Sequence, residues 1–248
     1  MRVLSLLLFS SSLVWAQEVK PVVVVLHERP VQAYIDRPGD VYIQFSDNRI
    51  EKFNAQGKSL GSQRIANLVL FEPRDGARMF SFTSSAEYGF YLFGNPQLTV
   101  MPSEFALKPA LACTLGDQQL WLFDQEDHSL KLISLAEQRV ITEVAPPRLL
   151  QPRQMRAYQD FLFYLTDENL LILNRLGHVI KIFTQPISWF NFLGEELYFQ
   201  SGSTIVFYDL MEGTVHTTPV KENSLCTLQS DQYRFTLFTD RLEIEPFP

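Results

Sequence analysis

Residues 41–47 read Val-Tyr-Ile-Gln-Phe-Ser-Asp, an apolar and aromatic run closed by a small polar turn. The pattern returns five more times: RMFSFTSS (78–85), LWLFDQED (120–127), FLFYLTD (161–167), ELYFQSG (196–202) and RFTLFTD (234–240). The turn ends Asp47, Ser85, Asp127, Asp167, Gly202 and Asp240 are separated by 38, 42, 40, 35 and 38 residues. Aromatic and β-branched side chains suit a pleated, half-buried surface. Each run therefore reads as a strand, and the chain as six copies of one all-β unit.

Working outward from each run, a repeat resolves into four strand-like segments divided by turn formers. The first holds VQAYID (31–36), VYIQFS (41–46), RIEKFN (49–54) and LGSQRI (60–65), punctuated by Asp36-Arg37-Pro38-Gly39, Asp47-Asn48 and Ala55-Gln56-Gly57. The fourth and fifth repeats parse the same way, with Gly177 and Gly213 at the third turn; the second is the least regular. Inner segments are almost continuously apolar, while outer ones alternate. That gradient suits a sheet buried between neighbours at one edge and wetted at the other. No stretch sustains a 3.6-residue period, so almost no helix is expected. A repeat near 40 residues with four short strands is the signature of a propeller blade.

The ends of the chain fit together. The sixth repeat supplies SLCTLQ (224–229), YRFTLFT (233–239) and RLEIEPF (241–247) and then lacks a fourth strand. The first repeat is preceded by a surplus strand, PVVVVLH (21–27). Val22 to Leu26 is expected to pair with Leu242–Phe247 and close the ring, which removes the open edges that invite aggregation. The chain thus resembles the six-bladed β-propellers of the NHL and TolB-like kind, a resemblance that rests on repeat length, strand content and closure over residues 17–248.

The amino terminus reads as an export signal. Arg2 gives a positive start, 3–15 is an apolar core too short to span a bilayer, and Val14-Trp15-Ala16 suits cleavage before Gln17. Residues 1–16 are thus expected to be a signal peptide and 17–248 one propeller domain, periplasmic or extracellular, not membrane-spanning, and a monomer on its own. Without Arg2 the chain carries 20 basic against 28 acidic residues, a net charge of −8. That balance opposes a nucleic-acid partner, which needs a basic footprint.

No motif carries chemistry outright. His27, His128, His178 and His216 fall in four repeats at unrelated places, without metal-ligand spacing. Some six-bladed propellers are hydrolases holding Ca²⁺ at the channel mouth with Glu, Asn and Asp. For that ligand set the innermost strands here offer Asn191 in mid-strand and Glu72 and Asp36 at strand ends, few for a Ca²⁺ site. Asp47, Asp127, Asp167 and Asp240 recur with the blade period, as a binding rim would; Asp also favours turns by bonding its own backbone. Ser201-Gly202-Ser203 is read as a turn, with no nucleophile elbow around it. Glu195–Ser201 resembles the recognition site of a plant-virus processing protease, yet its register makes it a buried strand. Trp121, Trp189 and most Phe are read as packing between blades. Cys113 and Cys226 align on innermost strands of opposite blades, too far apart for a disulfide. No metal, cofactor or catalytic residue is assigned. The expected function is an exported, non-catalytic binding or scaffolding module for a protein or glycan. The alternative is a hydrolase or lyase with its site at the channel mouth, and polar side chains converging there from three or more innermost strands would favour it.

Overall fold

The computed structural model describes residues 20–73, 76–144 and 150–247. The expected signal peptide, residues 1–16, lies outside them. Twenty-four strands form six four-stranded antiparallel sheets, with no helix among the described residues. A short strand β1 (Val22–Val25) comes first. Blade 1 is β2 (Pro30–Ile35), β3 (Val41–Phe45), β4 (Arg49–Phe53) and β5 (Ser59–Arg64). Blade 2 is β6 (Leu68–Glu72), β7 (Met79–Thr83), β8 (Glu87–Tyr91) and the two-residue β9 (Thr99–Val100). Blade 3 is β10 (Pro109–Thr114), β11 (Gln119–Asp124), β12 (Ser129–Ser134) and β13 (Arg139–Val144). Blade 4 is β14 (Gln154–Tyr158), β15 (Phe161–Leu165), β16 (Leu170–Leu173) and β17 (Val179–Phe183). Blade 5 is β18 (Phe190–Leu193), β19 (Glu196–Ser201), β20 (Thr204–Asp209) and β21 (Val215–Pro219). Blade 6 takes β22 (Cys226–Gln229), β23 (Tyr233–Leu237) and β24 (Arg241–Pro246), with β1 as its fourth strand.

The burial gradient follows the expected order. The second strands β7, β11 and β15 are buried almost throughout, whereas the outermost β5, β13, β17 and β21 are largely exposed. Apolar clusters fill the space between adjacent blades. One joins blades 2, 3 and 4 around Phe80, Phe82, Trp121, Phe123 and Tyr164; others join blades 6 and 1, 1 and 2, and 4 and 5. Buried Tyr side chains keep their hydroxyls bonded, as a buried phenol requires. Tyr42 donates to Asp36 at 2.7 Å and Tyr164 to the Leu150 carbonyl at 2.6 Å.

Ring closure is antiparallel, with Val22 opposite Ile244 and Val25 opposite Arg241. The partner segment is therefore Arg241–Ile244 rather than the expected Leu242–Phe247. Pro246 sets the limit: the next hydrogen-bonded pair of this ladder would join it to Lys20, and it has no N–H to give. At the other end Leu26 donates its backbone N–H to the Asp240 carbonyl at 2.8 Å, holding the register against the last hairpin turn. Gly57, in the third turn of blade 1, lies against this strand. At φ +74° it adopts a left-handed conformation, and a Cβ there would sit 2.7 Å from Val24. The closing strand is thus wedged against blade 1 as well as paired within blade 6.

Candidate functional site at the channel mouth

The innermost strands β2, β6, β10, β14, β18 and β22 surround a central channel. Two cavities lie along it and share Glu72, Arg156 and Asn191. The cavity at the strand starts, about 310 Å³, is lined by apolar groups such as Val31, Leu70, Phe71 and Trp189 together with Gln32, Arg153 and Gln154. The cavity at the strand ends is larger, about 600 Å³, and its lining also mixes polar and apolar groups. Asp36, Glu72, Arg156, Asn191 and Gln229 reach it from five of the six blades, with Arg37 and Asp231 at its rim.

Each polar group has its own setting. The Asp36 carboxylate is committed to blade 1. It accepts from Gly39 N–H at 3.0 Å, Asp40 N–H at 2.8 Å and the Tyr42 hydroxyl, with Lys52 Nζ 3.7 Å away. Burial raises its pKa despite these bonds. Glu72 ties blade 2 to blade 3: its Oε2 accepts from Thr114 Oγ1 at 2.7 Å. Its Oε1 is buried and has no hydrogen-bond partner among the described residues. Arg156 donates from Nη1 to Asn191 Oδ1, joining blades 4 and 5. Asn191 Oδ1 also accepts the Phe192 N–H at 2.9 Å. The guanidinium lies 5.2 Å from the centre of the Phe192 ring, and Tyr158 stacks on Phe192 at 4.2 Å with an interplanar angle of 3°. Gln229 is only 2% exposed. Its backbone N–H donates to the Tyr198 hydroxyl at 3.1 Å, while both polar atoms of its side-chain amide lack partners among the described residues. Burial at this position raises the Tyr198 pKa strongly.

Of the residues marked in the sequence, Asp36, Glu72 and Asn191 come together at this mouth. Arg156 and Gln229 complete the group and had not been singled out, because a polar residue within an apolar run reads as ordinary strand alternation. The four histidines are exposed and line neither cavity. The recurring aspartates serve their own hairpins: Asp47 Oδ1 accepts from Arg49 N–H at 3.0 Å and Asp127 Oδ1 from Ser129 N–H at 2.9 Å. Asp167 pairs with Arg153 and Asp240 with Arg241. Ser201-Gly202-Ser203 spans the turn from β19 to β20. Cys113 on β10 and Cys226 on β22 are buried in different apolar clusters of opposite blades, and no disulfide links them. Burial pushes the Cys226 thiol up to about 12. No group of three or more His, Cys, Asp or Glu suited to a metal ion occurs among the described residues.

No family model and no curated protein sequence matches the chain. Solved structures do. A catalytically inactive His-to-Ala variant of virginiamycin B lyase from Staphylococcus aureus, with quinupristin, aligns over 92% of this chain and 99% of its own at 13% identity and a TM-score of 0.57. A streptogramin B lyase aligns over 92% of this chain and 98% of its own at 10% identity and a TM-score of 0.57. The chain is a six-bladed β-propeller. The propeller is also similar to the Pan2 WD40 domain from Neurospora crassa, at 10% identity and a TM-score of 0.58 over 89% of this chain and 78% of the other. At such identities the likeness is one of fold, and propellers host unrelated activities.

Proposed function

We propose that the protein is exported and acts as a non-catalytic binding propeller, taking a polar part of a protein or glycan partner into the wide mouth of its channel. One observation locates the site: polar side chains from five blades converge on a single concave mouth, the arrangement expected of the hydrolase or lyase alternative, so the preference for binding rests on how those side chains are held. A cavity with a few convergent polar groups is the usual form of a ligand site. Export follows from the amino-terminal reading alone. The binding reading is preferred to catalysis because the ionisable groups of the mouth are largely committed to the fold. Asp36 is held by its own blade, Arg156 is bonded to Asn191, and one oxygen of Glu72 is bonded to Thr114. General acid–base chemistry calls for a positioned proton donor or acceptor within reach of substrate, and the carboxylate oxygens left for it are the remaining one of Glu72, which is buried, and those of Asp231 at the rim.

The second reading, a hydrolase or lyase, draws on those same oxygens. The similar lyase is inactive in its His-to-Ala form. The histidines of this propeller lie away from both cavities, so a histidine-dependent reaction has no counterpart at the mouth. Calorimetric titration of the mature chain with short oligosaccharides and hexapeptides, followed by mass spectrometry of each mixture, tests the proposal. Binding that weakens in Gln229→Leu, with the probe recovered intact, is expected. Conversion of a probe to product moves the assignment to the enzyme reading. Binding indifferent to Gln229→Leu removes the mouth as the site.

A further inference from the structure

We infer that the mouth selects an uncharged, polyhydroxylated unit, a neutral saccharide, a statement that rests on the binding reading above. The argument is one of hydrogen-bond complementarity. Two side chains at this mouth, both more than nine-tenths buried, hold polar atoms without partners among the described residues: Glu72 Oε1 and the Oε1 and Nε2 of Gln229. Leaving such atoms unmet inside a protein is costly. Together they present two acceptors and one donor group. A hydroxyl both donates and accepts, so the hydroxyls of a saccharide suit groups of either kind without bringing charge into the site.

Charged ligands match less well. A carboxylate can accept from Gln229 Nε2 but faces the carboxylate of Glu72 and the carbonyl oxygen of Gln229. An ammonium group can donate to both acceptors but leaves Nε2 unmet, since it has no acceptor of its own. The rim adds no strong field of one sign, because Arg37 and Arg156 stand against Asp36, Glu72 and Asp231. An aromatic component is also present. Tyr158 lines the cavity with Phe192 stacked on it at 4.2 Å. An aromatic ring joins a large apolar surface to a polar tip, and the C–H face of a pyranose matches that surface. The cavity volume, about 600 Å³, falls within the range of small-ligand sites.

The test compares one ring in three charge states. Methyl glucoside, methyl galactoside and the N-acetylglucosamine trimer are titrated beside glucuronic acid, glucosamine and a set of hexapeptides, with binding read by saturation-transfer NMR and calorimetry. A neutral member should bind at least tenfold more tightly than its charged analogue. Gln229→Leu and Tyr158→Leu should each weaken that binding at least tenfold. Gln229→Leu should not lower the melting temperature, because it removes buried polar atoms that lack partners. Preference for glucuronic acid or glucosamine overturns the inference, as does the absence of any saccharide binding at millimolar concentration. If a peptide or a charged sugar binds instead and depends on Gln229, the saccharide assignment fails while the mouth remains a binding site. If no binding responds to either substitution, both assignments fail.

Discussion

Adjacent residues on the closing segment make opposite predictions. Leu26 is 9% exposed and belongs to the cluster that contains Val41, Phe45, Leu242 and Ile244, whereas Val25 is 65% exposed. Truncating a buried Leu to Ala costs about 2–5 kcal/mol, depending on how far the site relaxes. Leu26 sits at the end of a short strand where relaxation is easy, so the low end applies, about 2–3 kcal/mol. For a domain of this size each kcal/mol moves the melting temperature by roughly 2–4 °C. Leu26→Ala is therefore expected to lower it by about 5–10 °C. Val25→Ala, which removes an exposed side chain, should stay within about 2 °C of the parent. Circular dichroism and tryptophan fluorescence on the same samples measure both shifts. A chain beginning at Val31 loses the whole strand and should lose a single cooperative transition, since blade 6 keeps an open edge. Equal shifts for the two alanine variants, or a truncated chain that melts like the parent, would refute the argument that this strand locks the ring.

Other tests address the blades. Lys131 bridges Asp124, which is fully buried, at 2.8 Å and Asp127 at 2.7 Å. Burial works to raise the Asp124 pKa, but the Lys131 ammonium and three backbone N–H groups outweigh it and hold it low. A depressed carboxylate pKa gives stability above the unfolded value that is lost as pH falls through the folded value. Lys131→Met should thus cost about 2–4 kcal/mol at neutral pH and shift acid unfolding to higher pH, read by a pH titration of ellipticity. The processing protease whose site resembles Glu195–Ser201 should not cut the folded chain. Most of that segment is β19, paired on both sides with Leu197, Tyr198 and Phe199 fully buried, and rapid native cleavage would contradict that placement. Thiol titration should find two reactive cysteines in unreduced protein in denaturant and slow reaction without it, because both are buried. Finding none in denaturant would mean a bridge between blades 3 and 6.

The blades were legible because their cause is local. Runs such as FLFYLTD and VYIQFSD combine strand-forming side chains with a turn residue, and every such run lies at a second strand with its turn following it. The closing strand was legible as a surplus at one end matching a deficit at the other. Its register was not, since that depends on Pro246 and on the Leu26–Asp240 bond. The mouth was only half visible. Glu72 and Gln229 are 157 positions apart in the chain and line one cavity only because the ring closes. Nothing near Gln229 in CTLQ separates a side chain facing the channel from one facing the next blade. Arg156 likewise gains meaning only beside Asn191, which belongs to the following blade.

Joining strands 222 positions apart has a temporal consequence. During synthesis the four valines of β1 emerge long before Arg241–Ile244 exist, so blade 6 cannot be completed until nearly all of the chain is made. For that interval an apolar strand with both edges unsatisfied is available to any other chain, a hazard of folds dominated by distant pairings. A circular permutant that joins residue 247 to Lys20 by a short linker would turn this last-formed contact into a local hairpin. The permutant should refold faster and aggregate less at the same final stability.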